Sequence, residues 1–231
     1  MKKISSIRFS RGDCAFVAIN SCILIAAFII TLYPLLFVLS ASFSEPHAVS
    51  AGRLVLLPIE PSMDGYQYIL QYSEIWQGYA NTIFYTVAGT SLNIFFTLPC
   101  SYALSRRDMP DRGLLMTLFV ITMYFSGGMI PTYINMMSLG LLNSRWAILL
   151  SGLVSTYNLI VARTYFTQSI PWELHEAAFL DGCSDFGTFL KIVLPLSAPI
   201  TVVLTLYYGV GHWNSYFNAM IYLQDRSKYP L

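Results

Sequence analysis

Charge is what this sequence lacks. Of its 231 residues only 11% are Asp, Glu, Lys or Arg, less than half of the roughly 25% that coats an ordinary soluble domain. That deficit excludes one or two water-facing globular domains, the default for this length. The net charge of +1 excludes a dispersed basic footprint for nucleic acid. Four cysteines, Cys14, Cys22, Cys100 and Cys183, lie far apart with no C-x-x-C pair or metal spacing. They read as small apolar residues in packed helices. There is no G-x-x-x-x-G-K-[ST] phosphate loop, so any ATP must be handled by another chain. No internal repeat or low-complexity tract is present.

The missing charge is patterned. No charged residue falls between Asp13 and Glu45, Glu74 and Arg106, Arg112 and Arg145, Arg145 and Arg163, or Lys191 and Asp225. A bilayer core requires about 20 predominantly apolar residues per helix. Four gaps exceed that, and the Arg145–Arg163 gap reaches it if Arg145 snorkels to the interface. Five spans are therefore predicted, roughly 15–39, 79–104, 113–130, 145–165 and 197–222. The first is too long for a signal-peptide apolar region. With the N-terminus inside, Lys2, Lys3, Arg8, Arg11, Arg106, Arg107, Arg112, Arg163 and Lys191 lie in inner segments, and only Arg53, Arg145, Arg226 and Lys228 lie outside. That bias sets the orientation.

Between the spans, residues 1–13 form a basic tail, and residues 40–78 form a long outer loop punctuated by Pro46, Pro58 and Pro61. The run Arg106–Gly113 reads as a tight inner loop, and Ser126-Gly127-Gly128 with Pro131 as an outer turn. Pro34 within the first span is tolerated as membrane helices tolerate proline. Small residues such as Ala88, Gly89, Gly152 and Ser155 permit close helix approach, and Asn81 and Asn93 read as interhelical hydrogen bonds.

The most informative stretch is Ser169–Pro195, read as a helix–turn–helix on the inner side. Pro171 suits a helix start, and Glu173 complements the dipole in the first turn. Gly182 can take the left-handed conformation that ends a helix. Ser184 or Asp185 can cap the next helix, which Pro195 stops. Ala177 and Ala178 offer a small-side-chain face for another protein's groove, and His175 reads as an exposed face residue.

Glu176-Ala177-Ala178, three residues, Gly182, nine residues, then Ile192-x-Leu194-Pro195 resembles the EAA signature of permeases from binding-protein-dependent ABC importers. Phe125–Tyr133, Asp181–Asp185 and Gly211–Asn218 are similar to the carbohydrate branch, among permeases for complex polysaccharides or oligosaccharides related to the maltose-type inner-membrane subunits. The resemblance implies an all-α, polytopic transmembrane helix bundle of the type I importer kind, multi-pass in the cell membrane. It implies a tail at 1–13, a first transmembrane helix and extracellular loop at 14–78, and a permease core at 79–231 with a cytoplasmic EAA loop at 166–195. It also implies a second permease subunit, a cytoplasmic ABC ATPase dimer and an extracellular solute-binding lipoprotein. No cofactor, metal or catalytic residue is expected. Glu176, Ala177, Ala178, Asp181 and Gly182 inherit the ATPase-coupling role, and Leu194 and Pro195 the boundary with the next span. The family carries a sixth span after the position of Gln224–Leu231, so this sequence is expected to hold five spans of six and to be incomplete at its C-terminus.

No acidic or basic residue lies deep in a predicted span, which argues against an ion pathway or proton relay. A neutral sugar needs neither; it needs aromatic faces and uncharged hydrogen-bonding partners. The fifth span supplies His212, Trp213, Asn214, Tyr216 and Asn218 as candidates for the substrate path. His212 could equally bond between packed helices, and Trp213 and Tyr216 could form an interfacial aromatic belt. Asn158 and Tyr124 carry the same ambiguity. A secondary transporter or channel subunit is the alternative class, working without an ATPase. An intramembrane enzyme would need a partner for His212 that the sequence does not offer.

Overall fold

The computed structural model describes residues 11–231, with side chains from residue 12 onward. Lys2, Lys3 and Arg8 of the expected basic tail lie outside the described residues. Apart from one isolated antiparallel bridge between Ser44 and Pro61, the regular structure of the described residues is helical. The chain divides into two compact units, Met1–Ser73 and Glu74–Leu231.

The first unit holds α1 (Arg11–Ser42), α2 (Pro46–Ser50) and α3 (Asp64–Gln71). Gly12–Ser42 is long and apolar enough to cross a membrane. The segment that follows α1 is tied back by small hydroxyls rather than by a core. Ser40 Oγ donates to the Leu56 carbonyl at 2.6 Å, and the Ile59 N–H donates to Ser44 Oγ at 3.1 Å. Tyr66 donates to Ser42 Oγ at 2.8 Å, with its ring against Phe43.

In the second unit, α4 (Ser73–Ser105) is the one unbroken helix long and apolar enough to cross a membrane. Its buried positions include Gly78, Asn81, Thr82, Tyr85, Gly89, Asn93, Thr97, Ser101 and Leu104. These fall at i, i+3 and i+4, so they form one stripe, and that stripe is small and polar. Ile83, Val87 and Phe95 point outward. This is the pattern of a helix in lipid, where apolar side chains face the solvent and small or hydrogen-bonding ones mediate packing.

The expected spans at 113–130, 145–165 and 197–222 are not single helices. The third is broken into α5 (Arg112–Tyr124) and α6 (Met129–Ser138), bent by 115°. Phe125–Gly128 makes the break, with Gly128 at φ +84°. The fourth is interrupted between α7 (Arg145–Leu150) and α8 (Thr156–Ser169), with Gly152 at φ +74°. The break frees backbone carbonyls, which must find partners away from water. Asn93 supplies them, its amide donating to the Gly152 and Leu153 carbonyls at 3.1 and 2.8 Å. The fifth begins after α9 (Trp172–Leu180) and α10 (Asp185–Leu196), where the chain bends by 81° into α11 (Ala198–Trp213) and continues as α12 (Tyr216–Tyr222). Among the described residues two helices, or up to four spans if each bent pair counts as one, are long and apolar enough to cross a membrane.

The principal core joins α4, α8, α10 and α11 through Leu98, Tyr102, Ala162, Phe166, Phe189, Val193 and Leu204. On α8 the buried Asn158, Ala162 and Phe166 recur every four residues, as expected of a helix with one packed face. A second cluster, around Tyr85, Ile148, Leu149 and Ala219, ties α7 and α12 to α4.

Candidate functional site

The segment predicted to carry function is a short helix, a tight turn and a second helix. Pro171 precedes α9, with Glu173 in its first turn. At the other end Gly182 sits at φ +74°. The Cys183 N–H bonds the Ala178 carbonyl at 2.9 Å and the Gly182 N–H bonds the Phe179 carbonyl at 3.0 Å. These two bonds are the Schellman closure that a left-handed glycine makes possible. Ser184 caps α10, its Oγ accepting from the Gly187 N–H at 3.2 Å. Ahead of Pro195, which has no N–H to return to an earlier carbonyl, the helix takes a π turn over Phe189–Val193.

The structure separates the two alanines expected to form one small-residue face. Ala178 is buried in the chain's own core, whereas Ala177 faces outward with Glu176, Asp181 and Gly182. What projects most is apolar: Phe179 is 79% exposed and Leu180 85%. An exposed pair of that size at a helix tip marks an interaction surface more than a solvated face. Sequence reading missed both residues, although an apolar pair directly before the helix-ending Asp181-Gly182 was the available signal. Leu194 is partly buried and Pro195 exposed, just before the bend at Ser197.

Behind α9 lies a cluster that joins it to the end of α4. Arg106 donates to Asp108 through two nitrogens, to Asp185 at 2.7 Å and to the Tyr102 hydroxyl at 3.4 Å. Its guanidinium also lies 5.9 Å from the centroid of the Trp172 ring. The Asp108 hydrogen bond holds Arg106 firmly charged, and Arg106 in turn keeps the Asp108 carboxyl below its usual range. His175 is not the exposed face residue expected. Its ring stacks between Trp172, at 5.1 Å, and Tyr102, at 5.7 Å. Burial, and then the neighbouring Arg106 charge, push its imidazole below the usual value, while the Pro171 carbonyl opposes the shift without reaching hydrogen-bond geometry. Arg106 and Asp185 are 79 residues apart, so no local pattern announces the pair. Arg112 and Arg163 fasten the same corner by donating to the Arg106 and Leu104 carbonyls at 3.1 and 3.0 Å.

The candidate path residues are divided by the fold. His212 is buried and its Nε2 lies 2.6 Å from Asn93 Oδ1, the helix-to-helix role left open above. Gly89 lets the helices approach this closely, since a Cβ there would collide with the His212 ring. Asn81 makes the interhelical bond expected of it, accepting from Arg145 at the start of α7 at 3.1 Å, and its amide also donates to the carbonyls of Ser227 and Tyr229 at 2.8 and 3.0 Å. Beside His212 is a cavity of about 270 Å³ lined by polar and aromatic groups, Asn218 among them. Trp213, Asn214 and Tyr216 are exposed and do not line it, and Asn214 turns back to the Val210 carbonyl at 2.8 Å. Among the described residues no three His, Cys, Asp or Glu gather as metal ligands.

Comparison with known proteins identifies the family. The family model described as "Binding-protein-dependent transport system inner membrane component" matches residues 75–223. The chain is 43% identical to the polygalacturonan/rhamnogalacturonan transport system permease protein YtcP of Bacillus subtilis, over 88% of this chain and 71% of that protein. It is 36% identical to protein LplC of the same organism, over 100% of this chain and 78% of LplC. A chain from the crystal structure of a bacterial ABC transporter involved in the import of the acidic polysaccharide alginate superposes with a TM-score of 0.92 at 37% identity. That match covers 98% of this chain and 80% of the other. A helical bundle with helices long and apolar enough to cross a membrane fits such a component. The chain belongs to the family of inner-membrane components of binding-protein-dependent transport systems, as an ABC transporter permease subunit and not an enzyme.

Proposed function

We propose that this chain is one of two permease subunits of an importer for an oligosaccharide, with its N-terminus in the cytoplasm and the 166–195 loop docked on a cytoplasmic ATPase dimer. An extracellular solute-binding lipoprotein would deliver the sugar. The substrate class rests on relatives named for carbohydrates, the permeases for polygalacturonan/rhamnogalacturonan and for arabinooligosaccharides among them. It rests also on the uncharged polar lining beside His212.

The observation that carries the coupling role is the tip of α9. Phe179 and Leu180 project almost fully from a helix whose other side is anchored by Ala178. Glu176, Ala177, Asp181 and Gly182 surround that tip, while Leu194 and Pro195 stand at the bend into α11. Through Arg106 and Asp185 the same unit grips the end of α4, so a push on α9 reaches a membrane-length helix as a rigid-body movement. No covalent chemistry is involved.

Replacing Phe179 and Leu180 together by Ser removes two exposed apolar side chains without disturbing the core. Burying such a side chain is worth about 1.5–3 kcal/mol, so the pair should weaken ATPase retention by at least tenfold. Affinity purification of the whole complex in mild detergent reads this directly. Undiminished retention of the ATPase by the double variant would remove α9 from the interface.

A further inference from the structure

We propose that the cavity beside His212 is a subsite for a single uncharged sugar unit, held by Asn158, Ser155 and Ser215 against the Tyr207 ring. The proposal rests on the oligosaccharide reading above and adds to it a location and a charge preference.

The polar groups that line the cavity are of two kinds. Some are already used. Asn93 bonds the Gly152 and Leu153 carbonyls and His212, while the Tyr208 hydroxyl lies 2.8 Å from Thr97 Oγ1 and accepts from the Ser155 N–H at 3.1 Å. Others are not. Asn158 is 6% exposed and lines the cavity, and no described residue hydrogen-bonds its side-chain amide. The Ser215 hydroxyl is buried without a partner, and the Ser155 hydroxyl also bonds no described residue. A buried hydroxyl without a partner is costly, so Ser215 together with the unengaged Asn158 amide and Ser155 hydroxyl, all lining one cavity, points to a hydrogen-bonding occupant. Tyr207 adds a half-exposed ring, on which the C–H face of a pyranose can be taken from water.

Size and charge narrow the occupant. About 270 Å³ lies just below the roughly 300 Å³ at which small-molecule sites begin, which suits one sugar ring and not two. No Lys, Arg, Asp or Glu lines the cavity. A uronate carboxylate placed there would lose its hydration with no cation to replace it. Hydroxyl groups, which both donate and accept, match amides and serine hydroxyls. The family does not decide this point, since relatives are named for acidic polymers and for neutral oligosaccharides alike.

The test uses the complete transporter complex, purified without its solute-binding lipoprotein. It is titrated calorimetrically with a neutral galacto-oligosaccharide and with an oligogalacturonate of equal length. The neutral chain should bind and the uronate should bind at least tenfold more weakly. Ser155→Ala, which removes one oxygen, should weaken neutral binding about three- to tenfold, and Asn158→Leu should do so by at least as much. Asn218→Lys, at an exposed position on the cavity rim, should narrow the gap between the two sugars. Wild-type binding by both Ser155→Ala and Asn158→Leu, or equal binding of the two sugars, overturns the subsite. Uptake into proteoliposomes separates this from the broader reading. A wild-type complex that imports no oligosaccharide removes the transport reading and the subsite together. One that imports normally while the variants bind unchanged removes the subsite alone.

Discussion

Gly182 offers the sharpest test of how α9 works. Its φ of +74° is a conformation that residues with a Cβ adopt at a cost of about 1–2 kcal/mol. A Cβ built there meets nothing within 4 Å, so the penalty is one of backbone alone, free of any clash. In that range the fraction of molecules holding the turn changes by a factor of about 5–30. Losing the turn breaks the Cys183–Ala178 and Gly182–Phe179 bonds and swings Ser184 away from the start of α10. The α9 tip would then sit wrongly on its partner. Asn tolerates the left-handed region, whereas a β-branched residue there is a true outlier. Gly182→Asn should therefore couple nearly normally. Gly182→Val should lower sugar molecules imported per ATP hydrolysed by about fivefold or more. The assay is paired measurement of uptake and phosphate release in proteoliposomes holding the full complex. If Val and Asn behave alike, the left-handed turn is not what positions the tip. If Val lowers only the yield of assembled complex, Gly182 serves folding and not coupling.

The remaining predictions concern the corner behind α9 and the orientation of the loop. His175 is held neutral by burial and by Arg106, with Asp108 and Asp185 also facing it. The unfolded imidazole takes a proton near 6.5 and the folded one only at lower pH. The His175 contribution to stability is thus full above about pH 6.5 and falls as the pH drops through it. Hydrogen-exchange protection of α9 should weaken between about pH 7 and pH 5. His175→Phe, which keeps the stacking, should flatten that dependence; an unchanged slope would place its origin elsewhere. With Cys14, Cys22 and Cys100 replaced by Ser, a membrane-impermeant maleimide should label Cys183 in permeabilised cells and not in intact ones. Labelling in intact cells would put the loop outside and end the proposed coupling to a cytoplasmic ATPase.

Much of this molecule is legible without coordinates, because membrane insertion is a one-dimensional constraint. A residue's charge and its distance along the chain decide whether a segment can sit in lipid, so the helix starting near residue 12 and the α4 span follow from the gaps between charges. The Ser169–Pro195 unit is equally local. Gly182 at its turn and Ser184 at the next cap act through neighbouring backbone bonds as read, and Pro171 stands one position ahead of the first helical residue, as the N-cap of α9.

What tertiary structure alone decided involves partners far apart in sequence. The break after Leu150 is tolerated because Asn93, nearly 60 residues earlier, takes up the Gly152 and Leu153 carbonyls. An apolar count of residues 145–165 cannot register that. His175 looks like a surface residue until Tyr102 and Trp172 close on its two faces, and Ala178 looks like a contact residue until the chain's own core covers it. Hydropathy and local capping act over a few residues and are written in order. Hydrogen bonds and ring contacts between distant helices depend on which faces meet, and only packing in three dimensions determines that.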